Sequence, residues 1–164
     1  MAYDDLRDRL RAPPPELSVA AFPDGSVDTY YRAFDGEERI ETREAFASVL
    51  AAGRDSLRLR RRQQVAGGQS VNMATQAHAL GDAVTLAGHL DDPVFDGLPF
   101  ETASLGAPAS VSVLLFDDDL MLAEESPALR EWGVADLRAA ARRLGVDADA
   151  GADGDLDREA ATDA

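Results

Sequence analysis

The chain has 164 residues, enough for one domain with a sizeable core. Acidic residues outnumber basic ones 31 to 16, the formal net charge is −15, and lysine is absent, so nucleic acid and anionic membranes are excluded as partners by repulsion. An acid-rich surface carrying only arginine reads as adaptation to a cytoplasm of high salt, with an ordinary acidic protein as the plainer alternative. The chain has no cysteine, hence no disulfide framework or thiolate chemistry, and no apolar run near the roughly 18–20 residues that span a bilayer. Nor does its acidic N-terminus carry a secretory pattern, so a soluble cytoplasmic protein is expected.

In chain order, Tyr3 to Leu10 reads as a short helix, and the prolines within Ala12 to Glu16 as an extended lead-in. Leu17 to Phe22 is apolar enough for a strand buried on both faces, as in a parallel sheet. Pro23-Asp24-Gly25-Ser26 then turns the chain and delivers Asp28 at the carboxyl end of that strand, the edge where open α/β sheets bind ligands. An aspartate after a turn either caps local backbone or accepts two hydroxyl donors side by side, as a vicinal diol offers them. Asp24 is a weaker candidate for the same role. Thr29 to Ala33 and Glu38 to Glu41 form a hairpin about Asp35-Gly36, whose exposed edge needs a cover. Thr42 to Ala52 is a helix capped by Thr42, apolar at Ala45, Phe46, Val49 and Leu50, and stopped by Gly53.

Leu57 to Val65 carries Arg58, Arg60, Arg61 and Arg62. Without interleaved aromatics it reads as a solvated strand in preference to a nucleic-acid patch, or as a strand that neutralises an acidic neighbouring chain. Gly67 to Gly81 follows: two glycines, Ser70 as a cap, Asn72 in the first turn, and an alanine-rich helix. The glycines either make a simple tight turn or bring backbone N–H groups against a ligand.

Val84 to Gly88 is a short buried strand running into His89-Leu90-Asp91-Asp92-Pro93, where the aspartates shape the turn or orient a hydroxyl. His78 and His89 have no further nitrogen or sulfur ligand near them in sequence, so no metal site is expected. Val111 to Phe116 and Leu120 to Glu124 make a hairpin about Asp117-Asp118-Asp119, three carboxylates expected to be solvated and not to bind metal. Ser126-Pro127 opens a last helical region apolar at Leu129, Trp132, Val134, Leu137, Ala141 and Leu144, and the Ala, Asp and Gly tail over 145–164 is expected to be disordered.

Gly67, Gly68, Asn72, Ala74, Leu80, Gly81, Gly88, Asp91 and Asp92 together resemble the first signature of the ribokinase-like (PfkB) carbohydrate kinases, and Asp28 resembles the aspartate that grips sugar hydroxyls in that family. The resemblance is specific over residues 17 to 91 and loose to about 138. It implies an α/β, ribokinase-like three-layer fold, here as the N-terminal half over 1–144 with a small β lid at about 28–41. It also implies a sugar or nucleoside substrate held by Asp28, Gly67, Gly68 and Asn72, a phosphotransferase that uses ATP and Mg, and a homodimer contact through the lid. The family's Gly-Ala-Gly-Asp turn with its catalytic aspartate and nucleotide pocket has no counterpart in this sequence, and phosphoryl transfer needs such parts for positioning and electrostatics. The expectation is therefore a substrate half with no catalytic residue and no cofactor of its own, completed by a complementary C-terminal half. A non-catalytic sugar-binding or dimerisation module, and a remnant of a longer kinase frame, stand as alternatives.

Overall fold

The computed structural model describes Tyr3, residues 17–126 and residues 132–146. The expected helix over Tyr3 to Leu10, the proline lead-in and the acidic tail therefore fall, but for Tyr3, Gly145 and Val146, outside the described residues.

The first layer system is a parallel sheet of order β1-β5-β6, made of β1 (Ser18–Ala21), β5 (Ala83–Gly88) and β6 (Glu101–Ser104). Successive side chains of a strand point to opposite faces, so β5 sends Val84 and Leu86 one way and Ala87 the other. On the first face α2 (Gln69–Ala79) packs Val71, Ala74 and Ala77 against Val84, Leu86 and the Val19 and Ala21 of β1. On the second, α3 (Val134–Arg143) packs Leu137 and Ala140 against Ala87 and Ala103. The body is thus α/β/α in three layers, with Leu86 fully buried at its centre.

β1 departs from the sequence expectation of burial on both faces: Ser18 and Ala20 are exposed, while Val19 and Ala21 are half-buried. The cause is the position of α3, which stands over β5 and β6 and leaves the same face of β1 uncovered.

The second sheet is a five-stranded lid built on β2 (Ser26–Asp35). β4 (Arg58–Gly67) lies antiparallel along β2 from Ser26 to Phe34, with a bulge between Tyr30 and Tyr31 that leaves Arg62 without a partner residue. β7 (Ala109–Leu115) runs parallel to β2 over Ser26–Tyr31, and β8 (Leu120–Glu125) closes the far side antiparallel to β7. The short β3 (Glu38–Arg39) pairs with Phe34 and Asp35 beyond the end of β7, turning at Gly36, where φ is +61°. So the expected hairpin is present, but its first strand is longer than Thr29 to Ala33 and its second shorter than Glu38 to Glu41. α1 (Arg43–Ala51) covers one face of this sheet, setting Phe46 and Val49 on Ala33, Ile40, Leu114 and Phe116, with the Phe46 and Phe116 rings 5.4 Å apart. As expected, Thr42 caps it, its hydroxyl accepting from the Ala45 N–H at 3.1 Å.

The aspartates of the β7–β8 turn are exposed, as the sequence suggested, but they also have partners. Asp117 pairs with Arg39, Asp119 with Arg43, and Asp118 accepts from the Arg43 backbone N–H at 3.3 Å. The Asp119 carboxyl sits below the usual carboxylate range because it accepts first from the Leu120 N–H and then from Arg43. These contacts pin the hairpin tip to β3 and the start of α1.

Candidate functional site

The two sheets meet where β1 hands over to β2 and β4 hands over to α2. Residues far apart in sequence come together there: Asp24 and Asp28 from the first crossing, Gly67 and Gly68 from the second.

Asp28 is not at the carboxyl end of the first strand, as the sequence reading placed it. It is the third residue of β2, opposite Val65 and Val111, inside the lid sheet. The residue that follows β1 in that position is Asp24. The difference arises because β2 begins directly after the turn, at Ser26, so the strand absorbs the residues assigned to a loop.

The Asp28 carboxylate is half-buried, accepts from the Ser26 hydroxyl at 2.6 Å through Oδ1, and lies over Gly67. A Cβ on residue 67 would overlap that carboxylate. Gly67 thus makes room for Asp28, a more specific role than the tight turn or ligand approach read from the sequence. With one oxygen held by Ser26, the other keeps acceptor capacity for a hydroxyl arriving from outside.

Gly68 is required for a different reason. Its φ of 99° and ψ of 147° lie near a region that only glycine occupies readily. A Cβ there would stand 2.9 Å from the Gly25 Cα and 3.2 Å from an Asp24 carboxylate oxygen. Gly68, and not Ser70, is the N-cap of α2, and it offers no side chain to the first turn.

That task falls to Asp24, whose two carboxylate oxygens accept from the Gln69 and Ser70 N–H groups at 2.7 Å each. Burial pushes the Asp24 carboxyl up, but hydrogen bonds from the Ser70 side chain and from the Ser70 and Gln69 backbone outweigh it, and the net shift is downward. The sequence ranked Asp24 as a lesser sugar ligand; the structure makes it a cap from across the crossing. No local capping motif signals this, because the cap is 45 residues from its first partner, Gln69.

The consequence is chemical. The first N–H groups of α2 are those that would cradle an anion, and a carboxylate already holds them. Phosphate is therefore not accommodated at this helix start. Among the described residues no group of three acidic, histidine or cysteine side chains converges.

Asn72 is the fourth residue of α2, its N–H bonded to the Gly68 carbonyl at 3.0 Å and its side chain exposed. It stands one turn beyond the Gly67–Gly68 crossing. His78 is exposed on α2, edge-on to Phe100. His89 is buried, 2% exposed, and its Nδ1 donates to the Pro23 carbonyl at 2.9 Å, tying the end of β5 to the end of β1. Asp92 shapes its turn as expected, accepting from the Val94 N–H at 2.9 Å to start a single 3₁₀ turn over Pro93–Phe95. No helix among the described residues is long and apolar enough to cross a membrane.

No family model matches the chain, and no curated protein matches it. Among solved structures it is similar to a microbiome-derived acarbose kinase, Mak1, at 16% identity and a TM-score of 0.46, over 67% of this chain and 36% of that one. It is also similar to a protein described as a ribokinase from Agrobacterium tumefaciens, at 14% identity and a TM-score of 0.42, over 68% of this chain and 37% of the other. The match thus spans little more than a third of either of those chains.

Proposed function

We propose that this chain binds a sugar or nucleoside through Asp28, and that it is the substrate-binding part of a ribokinase-like carbohydrate kinase. One observation carries the reading: a half-buried carboxylate, oriented by Ser26 and seated over a glycine that cannot be replaced without displacing it, at the junction of the two sheets. A carboxylate in such a position accepts adjacent hydroxyls of a polyol. In this reading Gly67 and Gly68 form the floor, and Asn72 supplies an amide from the first helical stretch beyond it.

Phosphoryl transfer is not assigned to these residues. Asp24 closes the α2 N-terminus to phosphate, so transfer would need groups from a complementary segment that brings its own nucleotide site. The same closure favours a second reading, a sugar-binding module without catalysis. Both readings share the ligand and part at turnover.

The experiment is thermal unfolding of the full chain in multimolar KCl against a panel of pentoses, hexoses and nucleosides. A ligand that binds only the folded state raises the melting temperature. A shift with one ligand class, lost in Asp28→Asn and reduced in Asn72→Ala while both variants stay folded, is the expected outcome. A cooperatively folded sample with no shift for any ligand removes the sugar reading.

A further inference from the structure

The alternation of a strand sets Asp28, Tyr30, Arg32 and Phe34 of β2 on one face of the lid, while α1 covers the other, on Ala33 and Leu114. The bulge in the pairing with β4 changes what stands beside them. Without the shift between Tyr30 and Tyr31, Arg61 and Leu59 would lie opposite Arg32 and Phe34; with it, Arg60 and Arg58 do. The Arg60 guanidinium accordingly sits 4.4 Å over the centre of the Phe34 ring. The bulge thus puts two β4 arginines, in place of one, on the face that carries Asp28, and bulges that re-aim side chains recur beside functional sites.

These cations are not matched by the carboxylates around them. Arg32 and Arg60 stand directly opposite each other, an arrangement that costs stability for like charges. Arg58 and Arg60 share one carboxylate, Glu37, at 2.7 and 3.1 Å. The other acids of this face, Asp28 and Glu124, lie level with Val111, toward the body. Arg32 is half-buried, and among the described residues its Nε is buried with no hydrogen-bond partner. A donor left in that state costs its full desolvation. On a chain of net charge −15, a cationic pair with a spare donor fits an anion that arrives with the ligand.

We infer that the ligand of the Asp28 site is a polyol with an anionic group at its far end, a sugar monophosphate or a sugar acid, whose hydroxyls meet Asp28 and whose anion meets Arg32 and Arg60. This class rests on the sugar reading of Asp28 and narrows it. Asp28 and Arg32 are four residues apart on β2, roughly 13 Å at the rise of a strand. Two side chains and a hexose derivative together bridge that gap, with Tyr30 between them on the same face. A guanidinium presents a planar fork that matches carboxylate or phosphate with two hydrogen bonds. The α2 N-terminus, closed by Asp24, offers the anion no competing place.

The test is isothermal titration of the full chain, at one fixed ionic strength, with a panel of pentoses and hexoses, each beside its terminal monophosphate and its aldonic acid, and with inorganic phosphate alone. In the series that binds, one anionic form is expected to bind about tenfold or more tighter than its neutral parent, the worth of a hydrogen bond to a charged group. Whether phosphate or carboxylate gains more identifies the anion. Arg32→Gln is expected to return the anionic form to the affinity of the neutral one, and Arg32→Lys, which keeps the charge and loses the fork, to fall between. Asp28→Asn should weaken both forms alike, and Arg61→Gln, on the opposite face, neither. Melting without ligand checks that each variant is folded. Equal affinity for neutral and anionic forms, or an anion preference that survives Arg32→Gln, overturns the inference and leaves the sugar reading standing. Inorganic phosphate that binds as tightly as the sugar phosphate makes this a bare anion site and overturns it too. No binding by any member of the panel removes the sugar reading and the anion with it.

Discussion

Asp24 sets the pH behaviour of the crossing. Its carboxyl holds a proton less tightly in the folded state than an ordinary aspartate with a pKa of 3.8, so its contribution to stability is complete above that value and is lost as pH falls through the lowered one. Asp24→Asn should therefore flatten the acid limb of a stability-against-pH curve below about pH 4, and at neutral pH should cost about 1 kcal/mol, because the amide keeps one oxygen acceptor where the carboxylate holds two N–H groups. Chemical denaturation at several pH values reads both. The glycines separate by mechanism. Gly68→Ala strains the backbone and should cost about 1–3 kcal/mol, whereas Gly67→Ala pushes on the Asp28 carboxylate and should abolish sugar binding with the smaller loss of stability; melting and ligand titration together distinguish them. Asp28, Gly67 and Gly68 were singled out through the family resemblance, while their types and spacing alone left a turn and a local cap open; that Gly67 makes room for Asp28 is a contact between strands, which no local pattern encodes. The cap by Asp24 was missed for the same reason.

Among the elements, those with local signals were read well. α1 shows its cap at Thr42 and its stop at Gly53, where φ is +75°, and the hairpin shows Asp35-Gly36. Thr42→Ala should lower stability by about 1 kcal/mol, measured by urea unfolding. β5 is the element on which the body depends, since Leu86 lies between α2 and the sheet with no exposed surface. Leu86→Ala should cost about 2–5 kcal/mol by the same measurement. Legibility failed where pairing is non-local. β2 lies parallel to β7, more than 80 residues away in register at Ser26 and Ala109, and that crossover joins lid strands across the whole body. The arginine partners of the β7–β8 turn went unread for a related reason: Arg39 and Arg43, which pair with its aspartates, come from another part of the chain.

For the whole molecule the governing quantity is charge. At −15 the folded chain repels itself, and the carboxylates are screened as salt rises. The melting temperature should climb steadily from dilute buffer to molar KCl, and a flat response would remove the high-salt reading. The charge is also unevenly spread. Arg32, Arg39, Arg43, Arg54, Arg58, Arg60, Arg61 and Arg62 all belong to the lid and α1, while Gln63 to Leu129 contains no arginine or lysine at all. Trypsin, which cuts after those two residue types, therefore has no bond to cleave in α2, β5, β6, β7 or β8. Early nicks on β4 or α1 report opening of the lid, and the stretch from Gln63 to Arg130 leaves as one fragment however long the digestion runs. A tryptic time course is thus a clock for the lid, blind by composition to most of the body beneath it.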